Sequence, residues 1–190
     1  MYAIDPILAE DLLVPNLKPK VEIFDDYIYL VLHFPTLKKV NGKHMQALQE
    51  VDFVVGRNVL LTARYYAVDP LHKFSKIFET NSILDKSDLS KHGGTVFYFM
   101  MKHIYESMNN EREGVADRLK AIEEHIFSNH EKEMVTELSQ VSRLLLDFKH
   151  AITHHKDILT VFERFSGTLF GEDFTSYARA LLSEYTKVAD

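Results

Sequence analysis

The stretch Ile104–Phe165, IYESMNNEREGVADRLKAIEEHIFSNHEKEMVTELSQVSRLLLDFKHAITHHKDILTVFERF, decides the fold. Its first half carries apolar residues at Ile104, Met108, Val115, Leu119, Ile122 and Ile126. Its second half carries them at Met134, Leu138, Val141, Leu145, Phe148, Ile152, Leu159 and Phe162. Steps that are mostly three, four or seven place each set on one helix face. Ser128-Asn129-His130 separates the two, with Ser128 or Asn129 as N-cap of the second helix. At ~1.5 Å per residue the pair is roughly forty to fifty ångströms long. The small domain before it cannot cover that length, so the pair is expected to seek a neighbour in an assembly.

The totals bound the rest. The chain has 190 residues, enough for one domain and an extension, with 46% hydrophobic and 26% charged residues, as in globular proteins. A formal net charge of −6 gives no general field for nucleic acid. The absence of cysteine excludes a thiolate nucleophile, a disulfide framework and a cysteine-based zinc site. The longest apolar runs, Tyr27–Leu32 and Val96–Met101, fall far short of the ~20 residues a bilayer requires. The amino terminus has no basic region followed by an apolar signal core.

Along the chain, Met1–Asn16 reads as a short helix begun by Asp5-Pro6 and stopped by Pro15, with Ile7, Leu8, Leu12 and Leu13 on its apolar side. Val21–Phe34 reads as a strand whose two alternating sets are both bulky, hence covered on both faces. Lys38–His44, with Asn41-Gly42, is a turn. A hairpin follows, Glu50–Val55 and Val59–Tyr65, joined by Gly56-Arg57-Asn58. Pro70–Glu79 and Ser82–Lys91 read as two short helices, and His92-Gly93-Gly94 breaks the chain before the long helical region. Glu172–Asp190 begins a last helix through Phe174, Tyr177, Leu181, Leu182 and Tyr185, with no glycine or proline stop.

Three of these segments together carry a resemblance. Lys18–Leu32 (KPKVEIFDDYIYLVL) resembles the "RPKVE-x-aromatic-x-x-Tyr" strand of the CorA family of divalent-cation transporters. Asp5-Pro6 through Glu10-Asp11-Leu12-Leu13 looks like that family's "HP-x-x-x-ED-x-L" helix. Val51–Thr62 (VDFVVGRNVLLT) is similar to its "V-x-hydrophobic-x-x-GRN-hydrophobic-L-x-T" hairpin. The long helix pair and the last helix follow in the family's order, so the likeness covers nearly the whole chain. It implies a fragment: much of a cytoplasmic domain, ending inside the stalk helix that leads to two membrane helices and a Gly-Met-Asn pore signature.

The resemblance also nominates metal ligands. In the family, an acidic pair matching Glu10 and Asp11 faces the neighbouring subunit's stalk helix, with Mg²⁺ bound between them. A hard cation with oxygen ligands would bridge carboxylates that otherwise repel, so occupancy would hold a ring closed and loss would open it. The competing reading is an exposed acidic pair on a helix surface. This chain departs from the pattern: the partner acid falls at Ala180, beside Arg179, with Glu184 about a turn further on, and a second acid falls at Lys102. Arg179 or Lys102 is therefore expected to substitute for the ion as a salt bridge to Glu10 or Asp11 of the next subunit. His150 and His154, four apart and beside His155, have a spacing zinc tolerates, but lie more naturally on a solvated helix face. The family's usual proline here is absent, so the second helix is expected to run straighter. The acidic bias toward the helix-pair tip reads as a solvated face, and Met100, Met101 and Met108 as core packing. No Gly-rich phosphate loop, HExxH motif or nucleophile elbow occurs, so no enzyme is expected.

The expected architecture is α+β: a small mixed sheet flanked by helices in 1–93, a long antiparallel helical hairpin in 94–171, and the start of a stalk helix in 172–190. The expected function is that of a cytoplasmic domain of a CorA-like magnesium or cobalt transporter, with nickel or zinc as other cargo. It would act in a homopentamer in a cell inner membrane, with no organic cofactor and no nucleic acid. A zinc-transporting member of the same family, or a helical interaction module with no transport role, are the alternatives.

Overall fold

Strand β2 sets the architecture. Every residue from Ile28 to Pro35 is buried, as the double bulky alternation requires. β1 (Lys20–Ile23), β2 (Tyr27–Val40), β3 (Lys43–Gly56) and β4 (Leu60–Arg64) form one sheet in chain order. The structure, a computed structural model, describes residues 5–16, 18–40, 43–65, 73–76, 92–126 and 131–189. Among them the fold class is α+β, but every strand pairing is antiparallel, where a mixed sheet was expected. The β2–β3 ladder is longer than the sequence suggests and runs out to Val40↔Lys43, so most of the expected 38–44 turn is strand. Pro35 is accommodated opposite Leu48, because β2 has lost its β1 neighbour past Val31 and a missing N–H is tolerated at an edge.

The register Leu30↔Phe53 and Leu32↔Val51 puts Ile28, Leu30, Leu32 and Phe34 with Val51, Phe53 and Val55 on an inner face. Tyr29, Val31 and Val54 form the outer face. Helix α1 (Pro6–Asp11) covers that outer face through Leu8 and half-buried Leu12. Asp5 caps it, its carboxylate accepting from the Ile7 N–H at 2.8 Å, with Pro6 in the first turn. The helix is shorter than the expected Met1–Asn16. Ile7 and Leu13, placed by the sequence on its apolar side, are 74% and 77% exposed.

On the inner face lie α2 (Gly93–Ile126), α3 (Glu131–Ile152) and α4 (His155–Phe170); a 3₁₀ turn at Glu172–Phe174 leads into α5 (Thr175–Ala189). The α2 and α4 helices and the end of α3 touch the sheet, and α5 packs on α2 and α4. Phe97, Phe162, Phe170 and Phe174 interlock between them, and Phe97 meets Phe53 edge-on at 5.3 Å. Met100, Met101 and Met108 are buried in this core. Most of the two short helices expected over 70–91 lies outside the described residues; a helical turn at 73–76 buries Phe74.

The long helix pair exists, but its second member is not straight. It breaks at Thr153–His154, where neither proline nor glycine stands. The next residue, His155, is fully buried and bonded on both ring nitrogens, to the Tyr105 hydroxyl at 2.9 Å and the His33 carbonyl at 2.9 Å. A carbonyl can only accept, so Nε2 carries the proton and Nδ1 accepts from Tyr105. Burial holds this imidazole neutral, with its pKa lowered to about 4. Away from the sheet the hairpin has a thin core of its own: Val115, Ile122 and Val141, flanked by Leu119, Met134 and Leu144. Leu138 and Leu145, expected on the packed face, are 40% and 37% exposed, and Leu144 takes that position.

The Gly56-Arg57-Asn58 turn does more than reverse the chain. Arg57 accepts from the Gly93 N–H at 2.8 Å and donates from Nε to the Leu169 carbonyl at 2.7 Å, joining the start of α2 to the end of α4. A Cβ on Gly93 would sit 2.3 Å from the carbonyl oxygens of Gly56 and Val59. Gly171 ends α4 at φ 101°, a conformation glycine adopts freely.

Three substitutions and one pH dependence test this packing. Gly93→Ala should cost at least about 2 kcal/mol in denaturant unfolding, because backbone must move. Gly114→Ala, exposed in mid-helix with nothing within 4 Å of its added methyl, should gain up to about 1 kcal/mol. His155→Phe should cost about 2–4 kcal/mol at pH 7 by orphaning the Tyr105 hydroxyl and the His33 carbonyl. Because the folded pKa of His155 lies below its unfolded value, its neutral form stabilises the fold above pH 6.5, and that contribution drains away as pH falls toward 4. Urea titrations at pH 7 and 4.5 should show this acid-side loss in wild type and a smaller one in H155F.

Candidate functional site

The outer face of the sheet gathers polar side chains around α1. Strand alternation puts Lys20 and Glu22 of β1, Tyr29 and His33 of β2, and Glu50 and Asp52 of β3 on this one face. Asp11, at the end of α1, pairs with Lys20, which also reaches Glu22 at 3.0 Å and lies 5.0 Å over the Tyr29 ring. Burial draws the Lys20 ammonium down, but its bonds to Asp11 and Glu22 outweigh that and leave its pKa raised. Below it, the Tyr29 hydroxyl donates to Asp52 Oδ2 at 2.9 Å, inside the fold. Burial, and then the nearby Asp52 carboxylate, push the Tyr29 phenol far up. Burial also raises Asp52 to about 7; the Tyr29 bond opposes the shift and Glu50 adds to it.

Asn16 closes the cluster. Its N–H donates to Glu50 Oε1 at 2.8 Å, its carbonyl accepts from His33 Nε2 at 3.0 Å, and its amide donates to the Tyr29 hydroxyl at 3.3 Å. His33 also lies 3.6 Å from Glu50 Oε2, and both side chains are over nine-tenths buried. The chain just past α1 is therefore tied to the sheet by one residue that is hydrogen-bonded to three side chains, Glu50, His33 and Tyr29.

Glu10 is exposed, while Asp11 is committed to Lys20. On α5, Arg179 reaches Glu163 at 3.1 Å, Ala180 is half-buried, and Glu184 pairs with Lys187 at 2.8 Å. Lys102 on α2 approaches Glu106 at 3.8 Å. Lys102, Glu106, Asn109, Glu184 and Lys187 line an open cleft between α2 and α5, where charges of both signs neutralise one another. The sheet and the α2–α4 layer stand between these residues and α1, so Glu10 and Asp11 do not meet them within one chain. No group of three or more His, Asp and Glu that could hold a metal occurs among the described residues. Among the described residues, the carboxylates of one chain thus do not by themselves fit a cation site. His150 and His154 are exposed, and the third histidine of that run, His155, is the buried one.

The profile of the family described as "CorA-like Mg2+ transporter protein" matches residues 1–190. The chain belongs to the CorA-like family. It is 23% identical over 192 residues to the "Cobalt/magnesium transport protein CorA" of Thermotoga maritima, covering 100% of this chain and 52% of that relative. The chain thus spans about half the length of the curated relative. The soluble domain of CorA from Methanocaldococcus jannaschii superposes with a TM-score of 0.80 at 14% identity, over 97% of this chain and 71% of that one. The ZntB cytoplasmic domain from Vibrio parahaemolyticus gives 0.74 at 10% identity, over 98% and 70%. Identities this low show a shared fold. No helix among the described residues is long and apolar enough to cross a membrane.

The buried polar cluster was only partly visible in the CorA-like motifs. Lys20, Glu22, Tyr29 and Asp52 all lie inside them, and the alternation of Asp52 with Val51 and Phe53 carried the signal that its side chain faces away from the core. Nothing in the linear spacing brings Asn16 to Glu50. Since Lys20 and Asp11 keep 28% and 36% of their side chains exposed, Lys20→Ala should lower stability by less than about 1 kcal/mol in urea titration.

Proposed function

We propose that this chain is the cytoplasmic part of a CorA-like divalent-cation transporter that works as a homopentamer in an inner membrane, moving Mg²⁺ or Co²⁺ and carrying out no catalysis. The membrane-spanning helices would belong to the remainder of such a protein. The observation that carries this reading is the placement of α1 and α5 on opposite sides of the sheet. An acidic α1 that cannot meet the stalk helix of its own chain is suited to meet that of the next copy around a ring, a heterologous contact that closes by rotation. Glu10 and Asp11 would then be the chain's contribution to the intersubunit contact, with Asp11 exchanging or sharing its bond to Lys20.

At that contact Ala180 offers no ligand, and Arg179 presents a guanidinium that is 73% exposed. We assign Arg179 as a fixed counter-charge in place of a bound cation, which makes assembly less dependent on Mg²⁺. The acids missing at Ala180 and Lys102 are also what favours a zinc-transporting member as the second reading.

The transport reading is tested with the full-length protein in liposomes, by uptake of Mg²⁺, Co²⁺ and Zn²⁺; failure to conduct any of the three would overturn it. For the contact, Arg179→Asp should confer a saturable rise in melting temperature with Mg²⁺ that wild type lacks. A large Mg²⁺-dependent rise in wild type, abolished by Asp11→Ala, would overturn the counter-charge assignment.

A further inference from the structure

The Glu50–Asp52 pair is not used by the proposed cation contact, and its surroundings are unusual. Both carboxyls stand on the outer face of β3, two residues apart, under the segment that joins α1 to β1. Asp52 is 1% exposed, and its Oδ1 is buried with no hydrogen-bond partner, while Oδ2 takes the Tyr29 hydroxyl. Glu50 receives the Asn16 N–H, and its second oxygen lies near His33. Tyr29 from β2, Glu50 from β3 and Lys20 from β1 act on Asp52, as does Tyr65 beyond β4, whose phenol is raised by burial and then by Glu50 and Asp52; His33 stands at Glu50, and Asp11 and Glu22 at Lys20, on the same face. Arg64 stands opposite Val51 in the ladder, on the other face. Lys20 is held by Asp11 and Glu22 and offsets the two carboxylates beneath it only in part.

A buried carboxyl oxygen without a donor, beside a second carboxylate, is costly once ionised and tolerable while protonated. We propose that the Glu50–Asp52 pair retains one proton in the closed fold, and that losing it near neutral pH releases Asn16 and loosens α1 from the sheet. The only way for the ionised pair to regain solvation is to admit water, and the cover above it is the segment Leu12–Asn16. Asn16 is tied to the pair directly through Glu50 and indirectly through Tyr29, so opening there breaks its attachments together. The raised pKa of Asp52 agrees with this geometry: the closed form keeps its proton up to about pH 7, whereas an opened, hydrated Asp52 would ionise near 3.8. Closure should therefore weaken by roughly ten-fold per pH unit as pH rises from about 4 to 7, and level off above 7, where closed and open forms are both ionised. The clamp stands on the single-chain geometry; only its consequence, proton control over the position of Glu10 and Asp11, rests on the proposed function.

The test is amide hydrogen exchange of the 190-residue chain without added metal, from pH 5 to 8.5. The reporters are the Leu12 N–H, bonded to the Leu8 carbonyl, and the Asn16 N–H, bonded to Glu50. Rates are corrected for intrinsic exchange and compared with buried β2 amides. Wild type should lose about ten-fold protection per unit from pH 5 to 7 at Leu12 and Asn16 and level off above 7, while β2 stays protected. Asp52→Asn, an isostere of the protonated acid, and Glu50→Gln should each flatten the profile, and His33→Gln should leave the fall intact. Flat protection in wild type, an unchanged fall in both D52N and E50Q, or loss of the fall in H33Q would overturn the clamp. No arm uses a cation, so the result is independent of whether Mg²⁺ binds.

Discussion

Burial of β2 and β3 on both faces is the constraint from which the other elements take their positions. A strand pair whose inner face is Leu30, Leu32, Phe53 and Val55 and whose outer face is Tyr29, Val31 and Val54 cannot leave either side to water. The inner face is large and mostly apolar, so it takes the aromatic-rich helices α2 and α4. The outer face is smaller and mixed, so a helix of barely two turns suffices, helped by Asn16 and by Lys20 bridging to Asp11. This unequal division sends the acidic end of α1 to one side of the molecule and the last helix to the other.

The same division accounts for the polar groups that the fold retains. His155 lies at the inner seam and is satisfied on both nitrogens, so it acts as a neutral linker between α2, α4 and β2. Asp52 lies at the outer seam and is satisfied on one oxygen only. Two buried titratable groups in one small sheet thus have opposite characters. The first resists protonation down to about pH 4, and the second holds a proton up to about pH 7.

Legibility in the sequence tracked the range of the interactions. The single strand expected over Val21–Phe34 is two strands, β1 and β2, turning at residues 24–26. The two-sided burial of residues 28–34, the Gly56-Arg57-Asn58 turn, the Asp5-Pro6 helix start and the period of the long helices depend on neighbours a few residues away, and these were readable. The break at Thr153–His154 was not, because no breaker residue marks it and the bonds that hold His155 come from Tyr105 and His33, which are remote in the chain. The length of the β2–β3 ladder was underestimated for a related reason: Pro35 reads as a stop unless the end of β1 is known. At the candidate site, Glu10 and Asp11 were nominated by family likeness. The Lys20 partner of Asp11, the attachment of Asn16 to Glu50 and the isolation of Asp52 Oδ1 became visible only once strand register put β1, β2 and β3 side by side.

The break before His155 also carries a mechanical meaning. Before it α3 runs for 22 residues, about 33 Å at the helical rise; past its sheet-contacting end at residues 148–152, its company among the described residues is the thin Val115–Ile122–Val141 cluster. Such an arm is a lever with its fulcrum at a hydrogen-bonded histidine. A tilt of about 10° at that fulcrum sweeps the far end through roughly 6 Å, given the same rise per residue. Small rearrangements beside the sheet are thereby magnified at the rim of the molecule, and displacements imposed on the rim are geared down before they reach the core.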